Sequence, residues 1–104
     1  LRFRFKHHFI VHTLEDGVLL EMLRAMREKR WVEITNFSEK LQSESVFCGV
    51  PLKVFASVVT GRRYVCLYQG KRRQFATYRL DYVKAAKPLD VFDGYDKVLE
   101  RLQS

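Results

Sequence analysis

The sequence has few of the features that mark membrane proteins or disulfide-rich secreted proteins. It contains two cysteines, two prolines and three histidines in 104 residues. It has no apolar run of about 18 residues or more, the length that a transmembrane helix needs. Two cysteines do not make a secreted disulfide framework, and the basic, alternating first residues lack the apolar segment of a signal peptide. A cytoplasmic protein without membrane attachment is expected.

Motifs of nucleotide-binding loops and catalytic triads are also missing. No phosphate-binding glycine pattern and no serine on a glycine elbow occurs. His7 and His8 point to opposite faces if their segment is a strand, and His8 with His12 makes only a pair. Cys48 and Cys66 lie in strand-like apolar runs, which favours buried reduced thiols, or a disulfide if the strands are neighbours. We expect no enzyme activity, no cofactor and no metal site.

The composition is that of a folded and strongly basic domain. Nineteen Lys and Arg against 12 Asp and Glu give a net charge of +7, and 47% of the residues are hydrophobic. A basic surface attracts phosphates, acidic proteins or anionic lipid headgroups, although it also serves solubility alone. We expect an anionic partner. The length predicts one domain over residues 1–104, and a start at Leu1 suggests a fragment of a longer protein.

Two segments have the pattern of amphipathic helices. Residues 14–30 carry apolar side chains at helical spacing, Thr13 or Asp16 as a cap, and basic residues in the last turns. Near the end of the chain, Asp93 is expected to cap a helix over residues 94–102.

The remaining segments alternate as short strands do. Residues 1–6 alternate apolar and basic side chains, residues 38–45 read as a loop, and Leu52 and Val54 are predicted to share one face. Pro88 is expected to end the last extended segment. The fold class is therefore α+β, with a strongly bent antiparallel sheet or an SH3- or Sm-like β-barrel. The other strands are predicted at residues 31–37, 46–50, 52–59, 63–69 and 73–80, with an extended segment at 81–87.

Basic and aromatic residues are concentrated together in residues 60–87, where Asp81 is the only acid. Guanidinium groups bind phosphate through two parallel hydrogen bonds, and aromatic rings stack on bases. The same residues could instead pack the sheet and face solvent. Arg79 is the strongest candidate, because a cation in mid-strand needs solvent or a partner. It is predicted either to bind an anion or to pair with Asp81 or Glu33.

Several short segments occur in a characteristic order along the chain: residues 27–30, 32–34, 36–38, 50–57, 61–65 and 75–83. In this order, over about residues 17–87, the chain resembles the WYL domain family of bacterial regulators. The naming triplet Trp-Tyr-Leu is here Arg63-Tyr64-Val65, so only the tyrosine is kept and a charge replaces a stacking ring. The aromatic-Arg-Leu-Asp segment at residues 78–81 is the better match.

The resemblance implies an Sm-like barrel that follows an N-terminal helix-turn-helix domain in a bacterial transcription regulator. The resemblance also implies binding of a nucleic acid or a nucleotide-like anionic effector, and dimerisation in some members of the family. Direct binding of single-stranded DNA or RNA, and a structural or homodimer-forming role, are the alternatives. The ligand-binding residues implied by position are Tyr64, Arg79, Ser38 and Arg63, and the charge and aromatic pattern adds Arg62, Tyr78 and Arg73.

Overall fold

The computed structural model describes residues 17–104, which form an antiparallel sheet with a helix on each side. A short 3-10 helix spans Leu80–Tyr82. The α+β class, with an N-terminal helix and a short C-terminal helix, is confirmed. The elements are α1 (Gly17–Glu28), β1 (Arg30–Ser38), β2 (Ser43–Ala56), β3 (Arg63–Gln69), β4 (Gln74–Arg79), β5 (Val83–Val91) and α2 (Tyr95–Gln103).

The sheet is open rather than closed into a barrel. Its strand order is β4-β3-β2-β1-β5, so β4 and β5 form its two edges within the described residues. β2 pairs with β1 through residues 43–49 and with β3 through residues 50–56, and it therefore joins two halves of the sheet. The 3-10 helix carries the chain from one edge to the other without pairing them. The closed SH3- or Sm-like barrel is thus not observed in residues 17–104.

Each helix covers its own hydrophobic cluster. α1 buries Leu19, Met22 and Ala25 against the sheet, in a cluster to which β1 and β3 contribute. The other cluster lies beneath α2, where the Tyr95 hydroxyl donates a 3.0 Å hydrogen bond to the carbonyl of Pro51. Burial raises the pKa of Tyr95, so this hydroxyl stays protonated and ties α2 to the middle of β2.

The ends of the two helices differ from the predicted positions. α1 stops at Glu28, because Lys29 adopts a left-handed φ of 59° that ends a helix. The N-cap of α2 is Gly94 and not Asp93, and no side chain caps that end. The predicted strand over residues 1–6 and the caps Thr13 and Asp16 lie outside the described residues.

β2 contains a bulge that the alternating sequence did not reveal. Pro51 pairs with Leu67 and Lys53 with Cys66, so Leu52 is the extra residue. Leu52 belongs to the cluster beneath α2, whereas Val54 packs against the cluster beneath α1. The prediction that these two side chains share a face is therefore wrong.

Two predicted strand boundaries are also corrected. Residues 43–45 belong to β2 instead of a loop, because they pair with the end of β1. Pro88 lies inside β5, where it pairs with Val32. β5 is an edge strand, and an edge position tolerates a residue without an N–H group.

The two cysteines are free thiols in different surroundings. Cys66 is buried, and this burial raises the pKa of its thiol. Cys48 is exposed, contrary to the prediction that both are buried. We therefore expect iodoacetamide at mildly alkaline pH to label Cys48 within minutes, and Cys66 only after denaturation, because the reacting species is an accessible thiolate. Mass spectrometry of the wild type and of Cys48→Ser tests this, and rapid labelling of native Cys48→Ser would contradict it.

Candidate anion-binding face

Tyr64 on β3 and Arg79 on β4 are direct cross-strand partners. Side chains in such positions share a face, with Cβ atoms about 5 Å apart. The Tyr64 ring stacks on Phe55, with the centroids 5.4 Å apart and the planes at 21°. The Lys53 ammonium lies 5.7 Å from the centroid of the Phe55 ring. These four residues, together with Tyr82 described below, are called the Arg79 face.

The guanidinium of Arg79 is held from two sides. Nη2 lies 3.2 Å from a carboxylate oxygen of Asp81, and Nη1 donates a 3.2 Å hydrogen bond to the Tyr82 hydroxyl. The guanidinium carbon also lies 4.5 Å from the centroid of the Tyr82 ring, a cation–π contact. Of the two predicted ion-pair partners, the observed one is therefore Asp81 and not Glu33.

Three of the five N–H groups of Arg79 make no hydrogen bond to the described residues, since Nη1 and Nη2 use one each. Its Nε is buried and has no hydrogen-bond partner among them, although the side chain as a whole is 27% exposed. The hydrogen bond to Asp81 raises the pKa of Arg79 further above its ordinary value. The residue therefore presents a permanent charge with a fixed orientation and spare donor capacity.

A carboxylate lies at the margin of this face. The Tyr82 hydroxyl donates a hydrogen bond to Glu39, in the turn between β1 and β2, and this bond raises the pKa of Tyr82. Ser38 shapes that turn, since its hydroxyl accepts a 3.2 Å hydrogen bond from the backbone N–H of Leu41. Ser38 thus acts on the Arg79 face only indirectly, by shaping the turn that holds Glu39.

The remaining predicted site residues are divided among three places. Arg62 lies in the β2–β3 turn, and its charge opposes the rise of the Tyr82 pKa, which places it near the face. Arg63 and Tyr78 each adjoin a member of the Tyr64–Arg79 pair and therefore point to the opposite side of the sheet. Arg73 lies in the β3–β4 turn, at the far end of both strands. The structure thus brings together Tyr64, Arg79 and Arg62.

Tyr78 takes part in packing on the α1 side. Its ring lies 5.0 Å from that of Phe47, and its hydroxyl accepts a 3.0 Å hydrogen bond from the Gln69 side chain. Sequence reasoning missed four members or neighbours of the Arg79 face: Lys53, Phe55, Tyr82 and Glu39. Tyr82 lies three residues after Arg79, so a local sequence pattern could have indicated it. The other missed residues reach the face only through contacts between distant parts of the chain.

The described part of the chain supports neither a metal site nor a membrane-spanning helix. Among residues 17–104, no group of three His, Cys, Asp or Glu side chains could hold a metal ion. His7, His8 and His12 lie outside this range. The helices of the same range are all too short or too polar to cross a membrane.

Comparison with known families matches the chain to the WYL domain over residues 17–88. This range is well over half of the chain and includes Tyr64, Arg79 and Tyr82. The chain belongs to the WYL domain family. No curated protein matches it in sequence.

A solved structure similar to this WYL domain is Proteasome accessory factor B/C (PafBC) of Arthrobacter aurescens. The TM-score is 0.61 with 21% sequence identity, over 70% of this chain and 11% of that chain. At this identity the similarity concerns the fold alone. The present chain corresponds to a small part of that much longer protein.

Proposed function

We propose that this WYL domain is the regulatory module of a bacterial transcription regulator and binds a nucleic acid or a nucleotide-like anionic effector on the Arg79 face. In this proposal it is cytoplasmic, follows a helix-turn-helix domain, and has no enzyme activity of its own. The single observation that carries the proposal is the fixed guanidinium of Arg79 beside the stacked rings of Tyr64 and Phe55.

The chemistry of this face suits a phosphate joined to a base. Nη1 and Nη2 of Arg79 each use one of their two N–H groups in the contacts with Tyr82 and Asp81. This leaves a second N–H on each for a phosphate oxygen, and charge-assisted hydrogen bonds from guanidinium are stronger than neutral ones. Phe55 is 38% exposed and is already stacked on Tyr64, so a base could extend the stack at little conformational cost. Lys53 and Arg62 add positive charge, and the whole chain carries +7.

Membership of the WYL family supports the regulatory part of the proposal, and the likeness to PafBC supports the fold. The resemblance to WYL domains of bacterial regulators implies a place behind a DNA-binding domain. The nature of the effector rests on the residues of the Arg79 face alone.

Fluorescence anisotropy with labelled single-stranded oligonucleotides, at low and at near-physiological salt, tests the proposal. We expect binding that weakens as salt rises, because association with phosphates releases counterions. Unlabelled mononucleotides as competitors distinguish the two ligand classes, since only a nucleotide effector site would be emptied by them. No binding of either class at low salt would contradict the proposal.

Replacing Glu39 with Gln is expected to tighten oligonucleotide binding by about twofold to fivefold. The change removes a negative charge from the margin of the face but keeps an acceptor for the Tyr82 hydroxyl, and an exposed charge has an effect of this modest size. Anisotropy titrations of the wild type and Glu39→Gln measure it. Glu100→Gln, on α2 and away from the face, is the control and should bind as the wild type does. Weaker binding by Glu39→Gln would mean that the carboxylate contacts the ligand favourably.

A further inference from the structure

The first half of β2 is an exposed strand with a partner on one side only. Residues 43–49 pair with β1, and pairing with β3 begins only at Val50. From residue 43 to residue 48, every residue except Phe47 is exposed. In an antiparallel pair, every second residue directs its N–H and C=O away from its partner strand. This half of β2, called the β2 edge, therefore presents backbone groups that no described strand satisfies.

A cleft with aromatic walls lies beside the β2 edge. Its volume is about 1050 Å³, and it is lined by Val46, Phe47 and Cys48 of the edge together with Trp31 and Tyr78. That volume is in the range of ligand-binding clefts. An apolar side chain standing on a strand added to the β2 edge would therefore find a ready-made pocket.

The walls of the cleft are fixed by close packing. Tyr78 is held by the Phe47 ring and by the hydrogen bond from Gln69. The β3–β4 turn approaches Trp31 so closely that a Cβ on Gly70 would lie 2.7 Å from the indole ring. A glycine at this position is what allows the turn to lie against the indole.

The cleft carries charges of opposite sign at different places. Lys71 and Arg72 line it from the β3–β4 turn, and Glu33 and Asp90 line it from β1 and β5. None of the four forms an ion pair with another residue of the described part of the chain. The two cations are thus available to carboxylates of a ligand.

We propose that the β2 edge and its cleft bind an extended peptide segment of an acidic partner protein. The segment adds a strand to β2, inserts an apolar side chain between Phe47 and Trp31, and places carboxylates beside Lys71 and Arg72. A row of unpaired strand backbone is a template that another extended backbone matches group by group, which favours a peptide over a small molecule. The net charge of +7 favours an acidic partner over a second copy of this chain.

Two peptides with fluorescein on the N-terminal amine serve as probes: fluorescein-Glu-Glu-Thr-Val-Thr-Val-Thr-amide and fluorescein-Thr-Val-Thr-Val-Thr-Glu-Glu-amide. They place the carboxylates at either end, and we expect at least one to bind in an anisotropy titration. The double variant Lys71→Glu with Arg72→Glu should weaken that binding about tenfold or more. Arg62→Glu with Lys97→Glu, which makes the same change of net charge in the β2–β3 turn and on α2, is the matched control and should have a much smaller effect.

Strand addition is tested by N-methylating alternate residues of the peptide that binds. Methylation in one phase removes the N–H groups that pair with β2 and should abolish binding, whereas methylation in the other phase should not. The bound peptide should also slow amide exchange in residues 43–49 and iodoacetamide labelling of Cys48. Arg79→Ala should bind the peptide as the wild type does, so failure of this proposal is distinguishable from failure of the proposed function.

Three results would overturn the proposal. The first is that neither peptide binds. If the domain then dimerises with rising concentration and this protects residues 43–49, the edge belongs to a second copy of the chain. The second is equal binding of peptides with lysine in place of glutamate. The third is equal binding of both N-methylated phases, which would leave contact with the cleft but no added strand.

Discussion

Arg79→Ala is expected to weaken oligonucleotide binding about tenfold or more while the domain stays folded. The variant removes the charge-assisted hydrogen bonds that the guanidinium can offer to phosphate, and it leaves Tyr82 without its stacked cation. Both Arg79 and Asp81 are partly exposed, with side chains 27% and 47% accessible. The loss of such a pair is screened by water and does not leave a buried, uncompensated charge.

The Arg79 prediction is measured by anisotropy at low salt, with far-ultraviolet circular dichroism and a urea titration to establish folding. Arg79→Lys keeps the charge but loses the planar fork, so an intermediate affinity is expected. Arg101→Ala is the control, because this arginine lies on α2, over the ring of Phe75. Wild-type affinity in Arg79→Ala, or an equal loss in Arg101→Ala, would show that nonspecific charge rather than this face binds the oligonucleotide.

Leu67→Ala is expected to lower the free energy of unfolding by about 2–5 kcal/mol, the usual cost of emptying a core leucine site. Leu67 is fully buried in the cluster beneath α1 and pairs with Pro51 and Ala76 on its two neighbouring strands. Surrounding strands on both sides limit the collapse of the cavity, so the loss is not easily recovered.

Urea denaturation followed by tryptophan fluorescence measures the Leu67 effect. Val58→Ala is the matched control, because Val58 lies fully exposed at the tip of the β2–β3 hairpin; a surface change of this kind alters the free energy of unfolding by about 0.5 kcal/mol or less. A loss of less than about 1 kcal/mol in Leu67→Ala would contradict the packing described for this cluster.

Local patterns were sufficient to predict most secondary structure elements. β3 occupies residues 63–69 as predicted, because its apolar and polar residues alternate and turn residues flank it. The bulge at Leu52 was not predictable in this way, since both Leu52 and Val54 are apolar at alternating positions. Only the pairing of β2 with β3 decides which cluster each side chain enters.

The sequence predicted only part of the candidate site, because local patterns do not report pairing between distant strands. Alternation puts Tyr78 and Arg79 on opposite faces of β4, yet basic and aromatic composition alone grouped them in one site. Phe55 and Glu39 reach the Arg79 face through the β2–β3 register and through the β1–β2 turn. Contacts of this kind join residues far apart in sequence, and a single chain's local pattern does not report them.

A change of chain length has opposite consequences at the Leu52 bulge and at the tip of the β2–β3 hairpin. Deleting Leu52 would remove the extra residue and leave Phe55 opposite Tyr64, but the cluster beneath α2 would lose a buried leucine. At the hairpin tip, Val58 and Val59 are almost fully exposed, and one or two inserted residues would project into solvent. We therefore expect variants of this domain to tolerate insertions at the tip and to reject a single-residue deletion about six positions earlier.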